Sequence, residues 1–178
     1  FSLYSPDGEG GFPGNIHVIT DYRFNEDNEL SVRHYAETDC ATYINMTNHA
    51  YFNLCGKGKK ITEHRLHIPA DRILDTTPAF IPTGKRMNVK NTPFDFTSLK
   101  PIGTDLYADH EQLLWNKGYN HCYILKDEIS VEMLEAASLY EPVTGRNMTV
   151  MTDLPAVLLY TAGYYERPDT AVCLETQF

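Results

Sequence analysis

Most of the chain alternates apolar and polar residues with period two, and clusters of Gly, Pro, Asn and Asp interrupt the alternation. This pattern predicts short antiparallel strands, because successive side chains on a strand point to opposite faces. From His17 to Phe24 the run is rich in aromatic and β-branched residues. Asn25-Glu26-Asp27-Asn28 then supplies a turn, and Leu30 to Tyr35 returns as the partner strand of a hairpin. Further strands are expected at Tyr43–Thr47, Arg65–Pro69, Cys122–Leu125, Val131–Ser138, Asn147–Thr152, Val157–Thr161 and Ala171–Thr176. His110 to Trp115 offers one or two helical turns. Pro78, Pro82, Pro93 and Pro101 punctuate a long middle region. Because proline cannot donate to a central ladder, that region is expected as loops and edge strands. The fold class is therefore all-β, a sandwich or a barrel.

Composition narrows the function classes. The chain has 178 residues, 42% of them hydrophobic and 22% charged, as in an ordinary globular protein, and a single domain over 1–178 is expected, with two small domains as the alternative. The balance of 15 Lys+Arg against 24 Asp+Glu gives a net charge of −9. No basic cluster offers phosphates a counter-charge, and no apolar run approaches the ~20 residues of a membrane span. Neither a nucleic-acid partner nor a membrane is expected. Cys40, Cys55, Cys122 and Cys173 are widely separated, without a C-x-x-C pair or a zinc spacing, which reads as small buried thiols in a reducing, cytoplasmic compartment. The opening Phe1-Ser2-Leu3 has none of the features of a signal peptide. The chain reads as a cut or processed piece with neighbours on both sides.

Candidate chemistry gathers where the alternation fails. Asn45-Met46-Thr47-Asn48-His49-Ala50-Tyr51-Phe52-Asn53-Leu54 combines amides, an imidazole and aromatic rings. Such a set suits a polyhydroxylated ligand, though it equally describes a strand end whose Asn residues cap a turn. His121, in Gly118-Tyr119-Asn120-His121, follows a turn and is a weak signal by itself. Near the end, alternation sends Cys173, Glu175 and Gln177 to one face and Leu174 and Thr176 to the other. If that first face lines a cleft, desolvation raises the Glu175 pKa towards that of a useful base; if it faces water, Glu175 only solubilises. His64 and His67 lie three apart, so on a strand they face opposite ways and do not converge on a metal; an exposed edge is expected for them. The pairs Asp71/Asp75 and Asp105/Asp109 read as turn-capping, solvated carboxylates.

Taken together these blocks resemble the galactose mutarotase (aldose 1-epimerase) family. The resemblance rests first on Thr47-Asn48-His49-Ala50-Tyr51-Phe52-Asn53-Leu54 followed by Gly56. It extends through Ser5-Pro6-Asp7-Gly8-Glu9-Gly10-Gly11-Phe12-Pro13-Gly14-Asn15, Ile81-Pro82-Thr83-Gly84, Thr92-Pro93-Phe94-Asp95-Phe96, Gly118-Tyr119-Asn120-His121 and Leu174-Glu175-Thr176-Gln177. The blocks follow the family's order over nearly the whole chain. The resemblance implies a large antiparallel β-sandwich that binds a free aldose such as galactose or glucose and interconverts its anomers, with no cofactor and no metal. Residue by residue it implies His49 as general acid, Glu175 as general base, and Asn48, Tyr51, Asn120, His121 and the position of Leu158 as sugar contacts.

The chain also departs from that family. Asn120 stands where the family usually has Asp, and Leu158 where it has Gln, so two polar sugar contacts are altered. The family's upstream Asn-Arg pair and its first active-site His have no counterpart after Phe1, which casts the chain as the central part of such an enzyme. A complementing N-terminal segment or subunit is accordingly expected. Two other readings stand beside the epimerase. One is a non-catalytic sugar-binding or regulatory relative, allowed by Asn120 and Leu158. The other is a hexose-phosphate enzyme, for which Lys57, Lys59 and Lys60 are the candidate phosphate ligands.

Overall fold

The computed structural model describes residues 1–56, 58–130 and 132–178. They divide into two compact units, Phe1–Asn48 and His49–Phe178.

The first unit is a three-stranded antiparallel sheet in chain order, β1 (Ser2–Ser5), β2 (Ile16–Phe24) and β3 (Leu30–Thr38). The β2–β3 hairpin follows the expected turn. The Asn25 side-chain oxygen accepts from the backbone N–H groups of Asp27 (3.0 Å) and Glu29 (2.9 Å). Asn28 takes the left-handed conformation (φ 61°) that Asn tolerates better than most residues. The ladder then runs unbroken from Phe24 opposite Leu30 to Ile16 opposite Thr38. Tyr43–Thr47, expected as a strand, forms none: it joins no ladder, and period-two alternation alone does not supply a partner.

The second unit holds two antiparallel sheets. One has the order β10-β9-β4-β7, with β4 Arg65–His67, β7 Lys100–Pro101, β9 Leu134–Tyr140 and β10 Asn147–Thr152. The other has the order β12-β11-β8-β5-β6, with β5 Arg72–Thr76, β6 Pro82–Asn88, β8 Asn120–Ile124, β11 Ala156–Tyr160 and β12 Cys173–Gln177. The proline-bearing strands β6 and β7 are both edges, as the missing N–H requires. The expected strand from Val131 begins at Leu134, and Val131 itself lies outside the described residues.

Side chains from both sheets meet in one core. Leu66 of β4 and Leu139 of β9 join Ile73, Tyr123, Val157 and Leu159 of the second sheet, with Phe94 and Phe96 from the connecting segment. Each fully buried aliphatic or aromatic side chain of this kind stabilises the fold by about 1.5–3 kcal/mol. The result is an antiparallel β-sandwich rather than a barrel.

The short helix α1 (Glu111–Asn116) sits where one was expected. His110 caps it, its Nδ1 accepting from the Gln112 N–H at 3.3 Å, and the chain leaves through Lys117 in a left-handed turn (φ 52°). No helix among the described residues is long and apolar enough to cross a membrane.

Two expectations about side-chain environment are corrected. His64 is buried, not on an exposed edge: it stands just ahead of β4, where its backbone bonds to Ile61 and Ile102, both fully buried. Its Nε2 accepts the Leu54 N–H at 3.0 Å, and burial pushes its pKa down, against the field of Glu141. His67 instead faces Glu135 at 3.2 Å. The thiols are all free, but only Cys173 is fully buried and Cys40 is exposed. The aspartates do more than cap turns. Asp75 accepts from Thr83 (2.8 Å) and Gln112 (2.6 Å), and Asp105 pairs with Lys100 at 2.7 Å.

Candidate active site

Three neighbouring strands of the second sheet carry the cleft face. Leu158 of β11 lies between Cys122 of β8 and Glu175 of β12, and Tyr160 between Asn120 and Cys173. Period two therefore puts Asn120, Leu158, Tyr160, Cys173 and Glu175 on one side of the sheet. Val157, Leu159, Tyr123 and Leu174 point the other way, into the core. This face resolves the open question about Glu175: it is buried, only 7% exposed, and stands at a cleft.

A separate extended segment delivers the imidazole. Phe52 and Val172 exchange backbone hydrogen bonds at 2.8 and 2.9 Å, an isolated bridge just ahead of β12. Asn53 reinforces it: its side-chain NH₂ donates to the carbonyls of Lys59 (2.7 Å) and Thr170 (2.8 Å), while its oxygen accepts from the Cys55 N–H (3.0 Å). With residues 52 and 53 fixed beside the approach to β12, His49 reaches Glu175. The His49 Nε2 lies 3.4 Å from Glu175 Oε1.

The cleft between these groups has a volume of 360 Å³. Aromatic rings form its wall. The Tyr51 ring stacks on His49 with centroids 5.0 Å apart and planes at 28°, and Tyr160 meets His49 edge-on at 6.1 Å. Phe80 and Tyr164 complete the lining with Asn120 and Leu158. Burial pushes the Glu175 pKa above the ordinary carboxylate range, and the facing His49 opposes that rise. The pair is thus a half-exposed imidazole against a desolvated carboxylate. A larger hollow of 560 Å³, lined by Leu114, Lys117 and Tyr165 among others, brings together no such pair.

Of the residues singled out in the sequence, the structure gathers His49, Tyr51, Asn120, Leu158 and Glu175 in this cleft. His121 is elsewhere. It follows Asn120 on β8 and so faces the core, fully buried, with its ring 4.5 Å from that of Phe94 and its Nδ1 accepting the Asn120 N–H. Burial pushes its pKa down to about 3, so it is a neutral ring there. Asn48 belongs to the first unit, where its side chain donates to the Tyr22 hydroxyl at 3.0 Å. Lys60 is engaged with Asp169 at 3.2 Å, and Lys57 lies outside the described residues.

Sequence reading missed Tyr160, Phe80 and Tyr164. Tyr160 was accessible, since it stands two residues from Leu158 on the same strand. Phe80 and Tyr164 sit in loops, where no periodicity announces direction. Close backbone approach shapes the second loop. A side chain at Gly163 would begin 2.2 Å from the Lys117 carbonyl oxygen, so only glycine lets the chain pass before Tyr164.

Comparison with known proteins gives one consistent family. The family model described as aldose 1-epimerase matches residues 1–178. The chain is 35% identical over 164 residues to the aldose 1-epimerase of Escherichia coli K12, covering 92% of this chain and 47% of that protein. It is 34% identical over 189 residues to the human galactose mutarotase, covering 99% of this chain and 53% of that protein. Among solved structures, the galactose 1-epimerase of Lactobacillus acidophilus NCFM superposes with a TM-score of 0.88 at 29% identity, covering 99% of this chain and 52% of the other. The chain thus spans about half the length of the curated relatives it matches.

Proposed function

Because this chain belongs to the aldose 1-epimerase family, we propose that it carries the acid–base pair of an enzyme that interconverts the α and β anomers of a free hexose such as galactose or glucose. The observation that carries this reading is the approach of His49 to Glu175, 3.4 Å apart at the cleft. Anomer exchange needs one group to give a proton to the ring oxygen while another takes one from the C1 hydroxyl. Those two oxygens share C1, so an acid and a base that are near neighbours can reach both.

In this mechanism the Glu175 carboxylate accepts the C1 hydroxyl proton and protonated His49 donates to the ring oxygen. The bond between C1 and the ring oxygen breaks, leaving the open-chain aldehyde. Rotation about C1–C2 presents the other carbonyl face, and the reverse transfers close the ring. Desolvation of Glu175 suits it to this work by making its carboxylate a stronger base than one in water. The rings of Tyr51 and Tyr160 supply flat apolar surface for the C–H face of a sugar, and Asn120 a hydrogen-bonding group for a hydroxyl.

A second reading, a sugar-binding relative without turnover, draws on Leu158. Leu158 stands directly opposite Glu175, and its apolar side chain offers a ligand no hydrogen bond. NMR exchange spectroscopy or polarimetry on fresh α-galactose and α-glucose separates the two. Catalysed exchange, abolished in Glu175→Gln, supports the epimerase. Saturable sugar binding with no exchange by the full-length protein would establish the second reading instead.

A further inference from the structure

The acid–base chemistry does not use Cys173, a buried thiol on the cleft side of the sheet. Cys173 lies two residues before Glu175 on β12, so the thiol and the carboxylate share a face. One ligand atom from each of His49, Cys173 and Glu175 can be chosen so that all three lie within 4.8 Å of one another. The imidazole nitrogen and the carboxylate oxygen are 3.4 Å apart. Two ligands bound at ~2.0–2.1 Å to a tetrahedral zinc are separated by about 3.3–3.4 Å, so this pair already has coordination spacing. The Cys173 sulfur lies within 4.8 Å of both other donor atoms, so side-chain rotations that close these separations complete the coordination.

The donor set also has a chemical preference. Imidazole, thiolate and carboxylate together suit Zn²⁺ and its spectroscopic substitute Co²⁺, whereas Mg²⁺ and Ca²⁺ prefer oxygen alone. Two donors come from one strand and the third from a segment tied to it by the Phe52–Val172 bridge. Cys173 and Glu175 are therefore held by the β11–β12 ladder, and His49 stands close in sequence to the bridge.

We propose that His49, Cys173 and Glu175 form a three-ligand site for Zn²⁺, and that the bound ion blocks the cleft to sugar. On binding, the thiol releases its proton to solvent and the thiolate lone pair forms the Zn–S bond; no electrons are transferred. The fourth position faces the cleft and takes water. The blocking effect rests on the acid–base reading of His49 and Glu175, whereas metal binding itself does not.

Cobalt titration of the full-length protein, with Cys173→Ser and Cys173→Ala beside it, tests both parts. The wild type is expected to develop a near-ultraviolet thiolate-to-cobalt charge-transfer band that Zn²⁺ displaces and that both variants lack. The Zn²⁺ concentration that halves anomer exchange should rise about tenfold or more in the variants, each compared with its own metal-free rate. A band absent from the wild type, a band that survives loss of Cys173, or equal zinc inhibition of all three proteins overturns the site. If the band behaves as expected but the wild type never exchanges anomers, the metal site stands and the epimerase reading falls.

Discussion

The Glu175 carboxyl is buried opposite Leu158 and faces His49, and its raised pKa has a consequence for stability as well as for chemistry. Since the folded protein disfavours the ionised form, stability is lost as pH rises from the unfolded carboxylate value through the higher folded one. Glu175→Gln keeps the shape without the charge. It is expected to raise the unfolding midpoint at neutral pH while lowering kcat on the order of 10² or more. Thermal melts and exchange rates on the same preparation check this, and a lowered midpoint would mean that the carboxylate is stabilised rather than strained. For His49→Gln the expected loss is ~10²–10⁴ in kcat, with little change in KM, because a positioned acid acts in the transition state. Near-normal exchange by that variant would remove His49 from the mechanism. The epimerase reading assigns specificity to the neighbouring residues. Asn120→Asp and Leu158→Gln together are expected to shift the ratio of kcat/KM for galactose over glucose, because each hydrogen bond made or lost to a desolvated hydroxyl is worth ~1–3 kcal/mol. An unchanged ratio would place neither side chain on the sugar.

Between residue and sheet stands the strap at Phe52–Asn53, which fixes His49 beside β12. The Asn53 amide donates to two carbonyls, so Asn53→Asp removes both donors and sets carboxylate oxygens against carbonyl oxygens. Denaturant unfolding is expected to show a loss of about 1–3 kcal/mol, with kcat falling more than KM rises as His49 loses its register. A fully stable, fully active Asn53→Asp protein would show that the strap is dispensable. The strap also marks where sequence reading stops. Strands β2, β3, β10 and β11 were legible because alternation and turn residues agree there. Strands β5 and β6 were not, since prolines announce edges without saying which residues pair. Tyr43–Thr47 alternates yet joins no ladder, and His64 looked like an edge residue because nothing local reveals its contacts with Leu54 and Ile102. The cleft had the same limits. Periodicity placed Cys173 and Glu175 on one face and could have added Tyr160. The meeting of His49 with Glu175 joins segments far apart in sequence, and only the family resemblance pointed to it.

For the whole molecule, the first unit's sheet carries a distinct liability. The ladder registers put Leu3, Val18, Tyr22, Phe24, Leu30 and Val32 on one face, and of these Leu3 is 63%, Phe24 71% and Leu30 56% exposed. The opposite face mixes Ile19 and Tyr35 with Asp21, Arg23, Arg33 and Glu37. Charges therefore guard one side of the sheet and not the other. The Thr20–His34 pair interrupts this face. Its apolar end at Tyr22, Phe24, Leu30 and Val32, on a sheet whose outer strands β1 and β3 pair on one side only among the described residues, promotes association of like chains. The net charge of −9 slows this by repulsion at low salt, and salt screens that repulsion within a Debye length of ~8 Å at physiological ionic strength. The 178-residue chain expressed by itself is thus expected to self-associate, more strongly as salt increases. Phe24→Lys with Leu30→Glu, a cross-strand pair at the hairpin end, should restore monodispersity while leaving the far-ultraviolet circular dichroism of the β-sandwich unchanged. Light scattering across a salt series decides the matter. A wild-type chain that stays monomeric in high salt would show that this apolar face does not drive association.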